Sequence, residues 1–365
     1  MKVLFSGGGT GGHLFPALAV AGELKQMNAD TEIVFVGTPH RIESTVVPQH
    51  GYRFEPLMSS GMPRKNIVKL ILYLFEFAST LLKARKLVKR ISPDIAVGSG
   101  GYVSVTPLLA ARWLGVPLIL LEQNSVPGLA TKLLQRYAEK IHLNYEDSAA
   151  YISNRKNAVV TGNPVRKSEN QMSKAEARTK LGIPADNQVL LILGGSLGAG
   201  SMNRKIAACK EIFEESVVYT IWQTGKNDFE TYKNYASERA EVKPFIDQMD
   251  IYYAAADLAI CRAGATTISE LAYYGLPAIL IPSPNVANDH QTGNARALQE
   301  KGAAVMIRES EAENRLADEF KRLLTDASLR NELSTNIKKF ARPDAARIVA
   351  ESVISLYRKR KSEHV

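Results

Sequence analysis

Short runs of apolar residues alternate with longer segments of helical periodicity along almost the whole chain. The apolar runs are residues 3–5, 33–36, 95–97, 118–121, 159–160, 189–193, 217–222, 258–260, 278–281 and 304–307. Continuous apolar runs separated by roughly 10–20 helical residues are typical of parallel strands in a sheet covered on both faces. The first five runs and the last five therefore predict two doubly wound α/β domains in series.

The turn residues Gly162-Asn163-Pro164 follow the last predicted strand of the first half, and they mark the predicted domain boundary. Residues 1–163 are then a first domain and residues 164–341 a second. Pro343 interrupts the helical pattern near the end of the chain, so residues 344–360 could form a separate last helix. Two domains also suit a length of 365 residues, which one core rarely organises.

The composition is that of an ordered globular protein. Apolar residues make up 45% of the chain and charged residues 23%, which excludes a disordered or low-complexity chain. The two cysteines, Cys209 and Cys261, provide neither a disulfide framework nor metal-ligand spacing, so a reducing cytoplasm is expected and no metal site is predicted. The apolar stretch at the N-terminus is too short for a signal peptide.

The net charge of +9 is unevenly distributed. Residues 1–163 carry +7, residues 164–341 carry −1 and residues 342–365 carry +3. This asymmetry suggests an anionic partner for the first half and the tail: nucleic acid, a membrane surface or a phosphorylated ligand. A nucleic-acid binder would require aromatic residues interleaved on a basic groove or a recognised motif. Neither is present, so no nucleic-acid partner is predicted.

Residues 64–90 combine eight Lys or Arg residues and one acid, Glu76, with a strongly apolar stretch. The apolar part is too short and too interrupted to span a bilayer. A basic, apolar helix fits shallow docking on a membrane, whereas the alternative is a core helix with a solvated basic last turn. The predicted docking residues are Lys65, Lys69, Leu70, Leu74, Phe75, Lys83 and Arg85.

A glycine-rich turn, residues 7–12, follows the first strand and precedes a helix. Glycines permit positive φ and close backbone approach, and a helix N-terminus offers N–H groups to an anion. The glycine spacing matches a dinucleotide fingerprint, but no acid ends the second strand to hold the ribose of NAD. His13 stands at the helix start, where the helix dipole favours a neutral imidazole that can act as a general base. The alternative is a histidine that only caps or packs.

The second half repeats this arrangement twice. Residues 194–200 form a glycine-rich turn in which Ser196 could donate to a phosphate or a sugar, or be a plain turn serine. In the later segment 261–270, the backbone N–H groups of residues 265–267 would face a diphosphate. Glu270 could accept two ribose hydroxyls or close a capping box with Thr267. The amides in Glu122-Gln123-Asn124 and in residues 288–294 also follow strands and suit sugar hydroxyls.

Taken together, these motifs resemble the MurG family within glycosyltransferase family 28. They occur in the family's order: Gly8-Gly9-Thr10-Gly11-Gly12-His13 with Phe15-Pro16, Gly100-Gly101-Tyr102-Val103-Ser104, Glu122-Gln123-Asn124, Gly162-Asn163-Pro164-Val165-Arg166, Gly194-Gly195-Ser196 with Gly198-Ala199, Phe245-Ile246, Arg262-Ala263-Gly264-Ala265 with Ser269-Glu270, and Gln291 with Asn294. Each motif alone is weak, but the ordered set is specific and spans essentially the whole chain.

The resemblance implies a GT-B fold, in which two Rossmann-like domains face a cleft and the C-terminal helix, residues 342–365, crosses back onto the first domain. It implies transfer of N-acetylglucosamine from UDP-N-acetylglucosamine to the 4-hydroxyl of undecaprenyl-diphospho-N-acetylmuramoyl-pentapeptide, with inversion to a β-1,4 bond. The expected location is the cytoplasmic side of the cell membrane, as a peripheral protein, with other cell-wall synthesis proteins as further candidate partners. No cofactor is implied, and a divalent-cation requirement stays open.

The family's functional residues map onto matching positions here. The donor contacts fall on Thr10, Gly11, Gly12, Asn124, Arg166, Ser196, Ile246, Ala265, Thr266, Thr267, Ile268, Ser269, Glu270 and Gln291. Ile246 would contact uracil through its backbone, Glu270 would hold the ribose and Gln291 the sugar. Gly9, Gly101 and Tyr102 would face the acceptor, and His13 is the candidate base. Some relatives have two adjacent glutamines where this chain has His290-Gln291, which leaves the role of His290 open.

Two other enzyme classes remain as rivals. A UDP-N-acetylglucosamine 2-epimerase would share the fold and the nucleotide, but it would leave the basic apolar segment 64–90 unexplained. Glycolipid synthases of the same superfamily would use diacylglycerol as acceptor.

Overall fold

The chain forms two compact units, Met1–Arg166 with Arg342–Val365, and Lys167–Ala341. The computed structural model describes residues 1–63, 67–165, 172–195, 198–286 and 289–363. Each unit contains one fully parallel sheet flanked by helices. The predicted class of two doubly wound Rossmann-like domains is confirmed.

The first unit is built on a seven-stranded sheet in the order β3-β2-β1-β4-β5-β6-β7. Its elements are β1 Lys2–Gly7, α1 Gly11–Met27, β2 Glu32–Gly37, α2 Ile42–Gln49, β3 Arg53–Pro56, α3 Ile67–Ile91, β4 Ile95–Gly100, α4 Val105–Trp113, β5 Leu118–Glu122, α5 Leu129–Leu134, β6 Ala138–Leu143 and β7 Ala158–Val160. A 3-10 turn, Tyr102–Ser104, joins β4 to α4.

Side chains of this sheet alternate between two cores, as the period of two in a strand requires. Val3 and Phe5 pack with α1 on one face, and Leu4 packs with α3 and α4 on the other. The last helix of the chain, Ala345–Glu363, belongs to this unit and adds Val349 and Val353 to the α1 face. This helix is α15 in chain order, because α6 to α14 belong to the second unit.

The second unit has a six-stranded sheet in the order β10-β9-β8-β11-β12-β13. Its elements are α6 Lys174–Leu181, β8 Val189–Leu193, α7 Gly200–Ala208, α8 Lys210–Glu215, β9 Tyr219–Gln223, α9 Phe229–Tyr232, β10 Ala240–Lys243, α10 Met249–Ala255, β11 Leu258–Cys261, α11 Ala265–Tyr274, β12 Ala278–Leu280, α12 His290–Gln299, β13 Val305–Met306, α13 Ala312–Thr325 and α14 Ala327–Lys338.

The strand order reverses at one point in each sheet, between β1 and β4 in the first and between β8 and β11 in the second. Ligands of open parallel sheets bind outside the carboxyl ends of the strands at such a reversal. The glycine-rich turns after β1 and β8 and the N-terminus of α11 lie at these two positions.

Helix α3 divides into an exposed half and a packed half. Leu74 and Phe75 are 58% and 72% exposed, whereas Ala84, Val88 and Ile91 are buried in the core. The core-helix alternative for this segment is therefore right only for its second half. None of the helices in the described ranges is long and apolar enough to cross a membrane.

Candidate active site

The glycine turn after β1 is held from behind by a buried carboxylate. Glu43 accepts a hydrogen bond from the N–H of Gly9 at 3.0 Å through one oxygen. Its other oxygen accepts from the N–H and the hydroxyl of Thr38, at 3.1 and 2.6 Å. This carboxylate is thereby committed to the protein, so it cannot serve as the ribose-binding acid that a dinucleotide site would need.

His13 occupies the first turn of α1, with one ring nitrogen facing the protein. Its Nδ1 lies 3.0 Å from the backbone oxygen of Ser99 and 3.1 Å from Oε1 of Gln123. Since a backbone oxygen can only accept, Nδ1 carries a proton, and the form of the ring with one proton therefore has its lone pair on Nε2. The ring is half-buried. This tautomer is the one that a general base acting through Nε2 requires.

The imidazole packs directly on the backbone that follows β4. A Cβ atom at Gly100, which has a φ of +98°, would lie 2.7 Å from Nδ1 of His13. At Gly101, with a φ of +79°, a Cβ would lie 2.6 Å from the carbonyl oxygen of Gly8. Tyr102 lies beside Gly9, within van der Waals reach of the same turn. Of the predicted acceptor-side residues, Gly101 thus lies against the His13 ring, and Tyr102 lies beside Gly9 of the turn that precedes His13.

A second buried carboxylate organises the turn after β5. Glu122 accepts from the backbone and side-chain nitrogens of Asn124 at 3.0 and 3.2 Å. It also accepts from the N–H of Gly128 at 2.9 Å and the hydroxyl of Thr131 at 2.6 Å. Asn124 is half-buried and fixed in orientation at the carboxyl edge of the sheet.

In the second unit, a buried asparagine on α7 links that helix to the end of β9 and the residues after it. Asn203 donates to the carbonyl of Thr224 and to Asp228, both at 2.8 Å, and accepts from Trp222 at 3.2 Å. Gly198, with a φ of +98°, approaches Asp228 so closely that a Cβ would lie 2.8 Å from its carboxylate. Ser196 lies outside the described residues, as do Arg166 and Lys65.

Helix α11 begins at Ala265, as the motif predicts, but the predicted capping box is absent from its N-terminus. Gly264 is the N-cap residue, and Ala265, Thr266 and Thr267 form the first turn. The prediction of a capping box between Thr267 and Glu270 is wrong, because Thr267 lies inside the helix and the carboxylate of Glu270 accepts from Tyr253. The hydroxyl of Ser269 donates to the carbonyl of Ala265 at 2.9 Å. Ile268 is buried and packs in the core.

Glu270 lies one turn into α11 and accepts a 2.9 Å hydrogen bond from the hydroxyl of Tyr253 on α10. Burial raises the pKa of Glu270 to about 7, and the hydrogen bond from Tyr253 opposes that rise. The carboxylate is therefore poised to gain or lose a proton near neutral pH, in the position where ribose recognition is predicted.

Two further predicted donor residues, Ile246 and Gln291, are partly engaged by the protein. The N–H of Ile246 donates to Oε1 of Gln223 at 2.9 Å, so a contact between its backbone and uracil would have to use the carbonyl. Oε1 of Gln291 accepts from the N–H of Ser283 at 2.8 Å, which fixes the amide at the start of α12 with its NH₂ group as the donor end.

Four residues that build the site are not among the predicted functional residues. Gln123 orients His13, Glu43 holds the glycine turn after β1, and Tyr253 pairs with Glu270. Asn203 links α7 to the residues that follow β9. Of the four, only Gln123 lies within a motif identified in the sequence. Arg262, also within a motif, pairs with Glu309 at 2.5 Å and with Ser201 at 3.0 Å. Its guanidinium is therefore part of the scaffold of the turn before α11.

Within the described ranges, no group of three or more His, Cys, Asp or Glu side chains is placed to hold a metal ion.

Two doubly wound units with glycine turns and a helix N-terminus at the strand reversals are the architecture of GT-B glycosyltransferases. Residues 3–143 match the family model of the glycosyltransferase family 28 N-terminal domain, and residues 189–349 match that of its C-terminal domain.

The comparisons with individual proteins cover almost the whole chain. It is 41% identical to a UDP-N-acetylglucosamine–N-acetylmuramyl-(pentapeptide) pyrophosphoryl-undecaprenol N-acetylglucosamine transferase of Salinibacter ruber, over 97% of this chain and 96% of the relative. It is 40% identical to the protein of that name in Flavobacterium psychrophilum, over 99% of both. The crystal structure of Acinetobacter baumannii MurG is 27% identical, with a TM-score of 0.73 over 97% of this chain and 99% of that one. The chain belongs to the MurG family, which confirms the resemblance carried by its motifs.

Proposed function

We propose that this protein transfers N-acetylglucosamine from UDP-N-acetylglucosamine to undecaprenyl-diphospho-N-acetylmuramoyl-pentapeptide, converting lipid I to lipid II in peptidoglycan synthesis. The observation that carries the proposal is identity of about 40%, across both units, to relatives named for this reaction. The protein is then a hexosyltransferase that depends on UDP-N-acetylglucosamine.

The second unit holds the donor. The first-turn N–H groups of α11 bind the diphosphate, since a helix N-terminus combines unpaired donors with the positive end of the dipole. These donors are fixed before the reaction, because the turn before the helix is held by Arg262 and its partners. They stabilise the negative charge that builds up on UDP as the bond to the sugar breaks.

Glu270 and Gln291 recognise the two sugars of the donor, the ribose and the N-acetylglucosamine ring. The ionised carboxylate of Glu270 accepts hydrogen bonds from the ribose hydroxyls. The NH₂ group of Gln291, whose oxygen is occupied by Ser283, donates to a hydroxyl of the N-acetylglucosamine ring. A uracil ring is read by the carbonyl of Ile246.

His13 acts as the general base for the acceptor. Its Nε2 takes the proton from the 4-hydroxyl of the muramoyl sugar as that oxygen attacks the anomeric carbon of the donor. The new O–C bond forms on the face opposite the departing diphosphate, so the configuration inverts to a β-1,4 bond. Ser99 and Gln123 stabilise the imidazolium that results, because both accept from Nδ1.

The first unit attaches to the membrane that carries the acceptor. The exposed apolar half of α3 lies beside basic residues, and the +7 charge of residues 1–163 suits an anionic surface. Association is peripheral and on the cytoplasmic side, where a soluble nucleotide sugar is available. Lys69, Leu70, Leu74, Phe75, Lys83 and Arg85 form the described part of the docking face.

The test is transfer of radiolabelled N-acetylglucosamine from UDP-N-acetylglucosamine by the purified protein. Label is expected on the undecaprenyl-linked muramoyl-pentapeptide, with release of UDP, and not on diacylglycerol. Consumption of the donor without an acceptor would instead indicate epimerisation. Folded protein that labels neither lipid would refute the proposal.

The His13→Ala variant tests the base separately. Loss of a general base lowers turnover by about 10²- to 10⁴-fold, while UDP affinity stays within about twofold, since the groups proposed to bind the uracil, the ribose and the diphosphate are in the second unit. Turnover and UDP binding are measured on the same preparation. Wild-type turnover in this variant would remove His13 from the mechanism.

A further inference from the structure

Tyr253 is buried on α10, where the residue is only 3% exposed. The ring stacks on Tyr274 with centroids 5.4 Å apart and an interplanar angle of 22°. The stack holds the ring while its hydroxyl donates to Oε2 of Glu270 at 2.9 Å. The hydroxyl therefore has a fixed direction and a single acidic partner in the described structure.

Among the described residues, the side chains that interact electrostatically with Glu270 include no cation. The groups that interact with it electrostatically are Tyr253, Cys261 and Tyr274, and all are neutral near pH 7. Burial and the proximity of Glu270 raise the pKa of the Cys261 thiol to about 12. Asp250 and Tyr273, which also face Tyr274, provide no cation. The half-buried Glu270 carboxylate is desolvated and has no cation among these neighbours, so its charged form depends on neutral donors.

We propose that Tyr253 is a positioning residue for donor recognition, whose hydroxyl holds Glu270 in its charged form and in the orientation that receives the ribose hydroxyls. This inference rests on the proposed role of Glu270 as the ribose acceptor. It adds a residue one step removed from the donor, on a different helix from the one that carries Glu270.

The test is calorimetric binding of UDP and of 2′-deoxy-UDP between pH 5.5 and 8.5, with the full-length protein. The Tyr253→Phe variant keeps the stacked ring and removes only the hydroxyl. The matched control is Tyr252→Phe, a neighbour on α10 that is also buried and whose hydroxyl bonds to Lys243.

The wild-type protein is expected to bind UDP more tightly as the pH rises through about 7, because only the ionised carboxylate accepts from both hydroxyls. In Tyr253→Phe, the midpoint of this profile moves to higher pH and UDP binds about three- to tenfold more weakly at pH 7. Binding of 2′-deoxy-UDP weakens less, so discrimination between the two ligands narrows. The donor KM rises while kcat at saturating donor stays near wild type. Tyr252→Phe shifts neither midpoint nor discrimination.

A second variant moves the profile in the opposite direction. Replacing Tyr253 with 3-fluorotyrosine keeps the ring and strengthens the hydroxyl as a donor, so the midpoint falls. This measurement does not depend on whether Tyr253→Phe retains full stability.

The Glu270→Gln variant distinguishes a failure of the ribose-binding role of Glu270 from a failure of the positioning role of Tyr253. If it leaves ribose discrimination intact, Glu270 is not the ribose acceptor and that part of the proposed function fails. If Glu270→Gln abolishes discrimination while neither change at Tyr253 moves the midpoint, the role of Glu270 stands and the inference about Tyr253 is wrong.

Discussion

At the scale of single residues, His142 shows how burial sets the response of the protein to acid. It lies within β6, 2% exposed, and neither ring nitrogen has a hydrogen-bond partner in the described parts of the chain. Burial lowers its pKa to about 4, with a smaller contribution from the charge of Lys140. The ring is therefore neutral in the folded protein wherever the protein is expected to work.

This burial makes the first unit less stable in acid. The unfolded chain binds a proton at His142 near pH 6.5 and the folded chain only near pH 4, so stability falls as the pH drops through this window. The full effect is about 3 kcal/mol. In His142→Leu, hydrogen exchange of the β6 amides should show about 2–3 kcal/mol less destabilisation between pH 7 and pH 4.5 than in the wild type. Equal destabilisation in both proteins would show that another group is responsible.

At the level of single residues, the sequence predicts the side chains that face the ligand, but it does not predict the residues that position them. The motifs contain His13, Asn124 and Glu270, because glycine turns and strand ends mark the places where side chains reach a ligand. Ser99, a partner of His13, and Tyr253, the partner of Glu270, lie outside these motifs, and Gln123 lies in a motif that shows no sign of its contact with His13. A contact between residues 86 or 110 positions apart depends on the register of whole elements, which no local pattern contains.

At the scale of elements, the strands that the pattern misses are those with charged residues. β3 (Arg-Phe-Glu-Pro), β6 (Ala-Glu-Lys-Ile-His-Leu) and β10 (Ala-Glu-Val-Lys) lack a continuous apolar run. β3 and β10 are edge strands of their sheets, and β6 is the last strand but one, so their side chains are partly exposed to solvent. Continuous apolar runs are typical of strands that are covered on both faces, so strands with charged residues lack this signal, although the short run of the edge strand β7 shows that the correspondence is not strict.

The division of helix α3 into an exposed half and a packed half predicts how the helix contributes to membrane binding. Its first half presents apolar side chains to solvent, and its second half is packed in the core and ends in basic residues. Neutralising Lys65, Lys69, Lys83 and Arg85 together should weaken binding to anionic vesicles by about tenfold or more, since each cation near such a surface contributes about 1 kcal/mol. Co-sedimentation with phosphatidylglycerol vesicles at two salt concentrations measures the change.

The control for this variant neutralises four exposed cations of the second unit, Lys226, Lys233, Arg239 and Lys301. It alters the net charge equally but leaves α3 intact, so vesicle binding should stay close to wild type. Equal loss in both variants would mean that overall charge, and not the docking face, drives association. No loss in the α3 variant would reject the face.

At the scale of the whole molecule, the chain returns to its first unit at the end. Val349, Ala350 and Val353 of α15 are fully buried against the core that α1 and the sheet form. The stability of the first unit therefore depends on residues that follow the entire second unit in sequence. The resemblance to the family implied this return, whereas the pattern of residues 344–360 indicated only that a helix forms.

A chain that ends at Ala341 tests this dependence. Removing α15 exposes one apolar face of α1 and should destabilise the first unit by about 5 kcal/mol or more, given the usual cost of emptying several buried sites. The second unit keeps its own core, so UDP should still raise the temperature of its calorimetric transition. The control ends at Arg360 and loses only exposed residues and the two at the C-terminus, and it should unfold like the full chain. A first-unit transition that persists within about 2 °C in the shorter chain would contradict the argument, because a loss of 5 kcal/mol lowers the midpoint of a domain this size by 10 °C or more, or about 2 °C per kcal/mol.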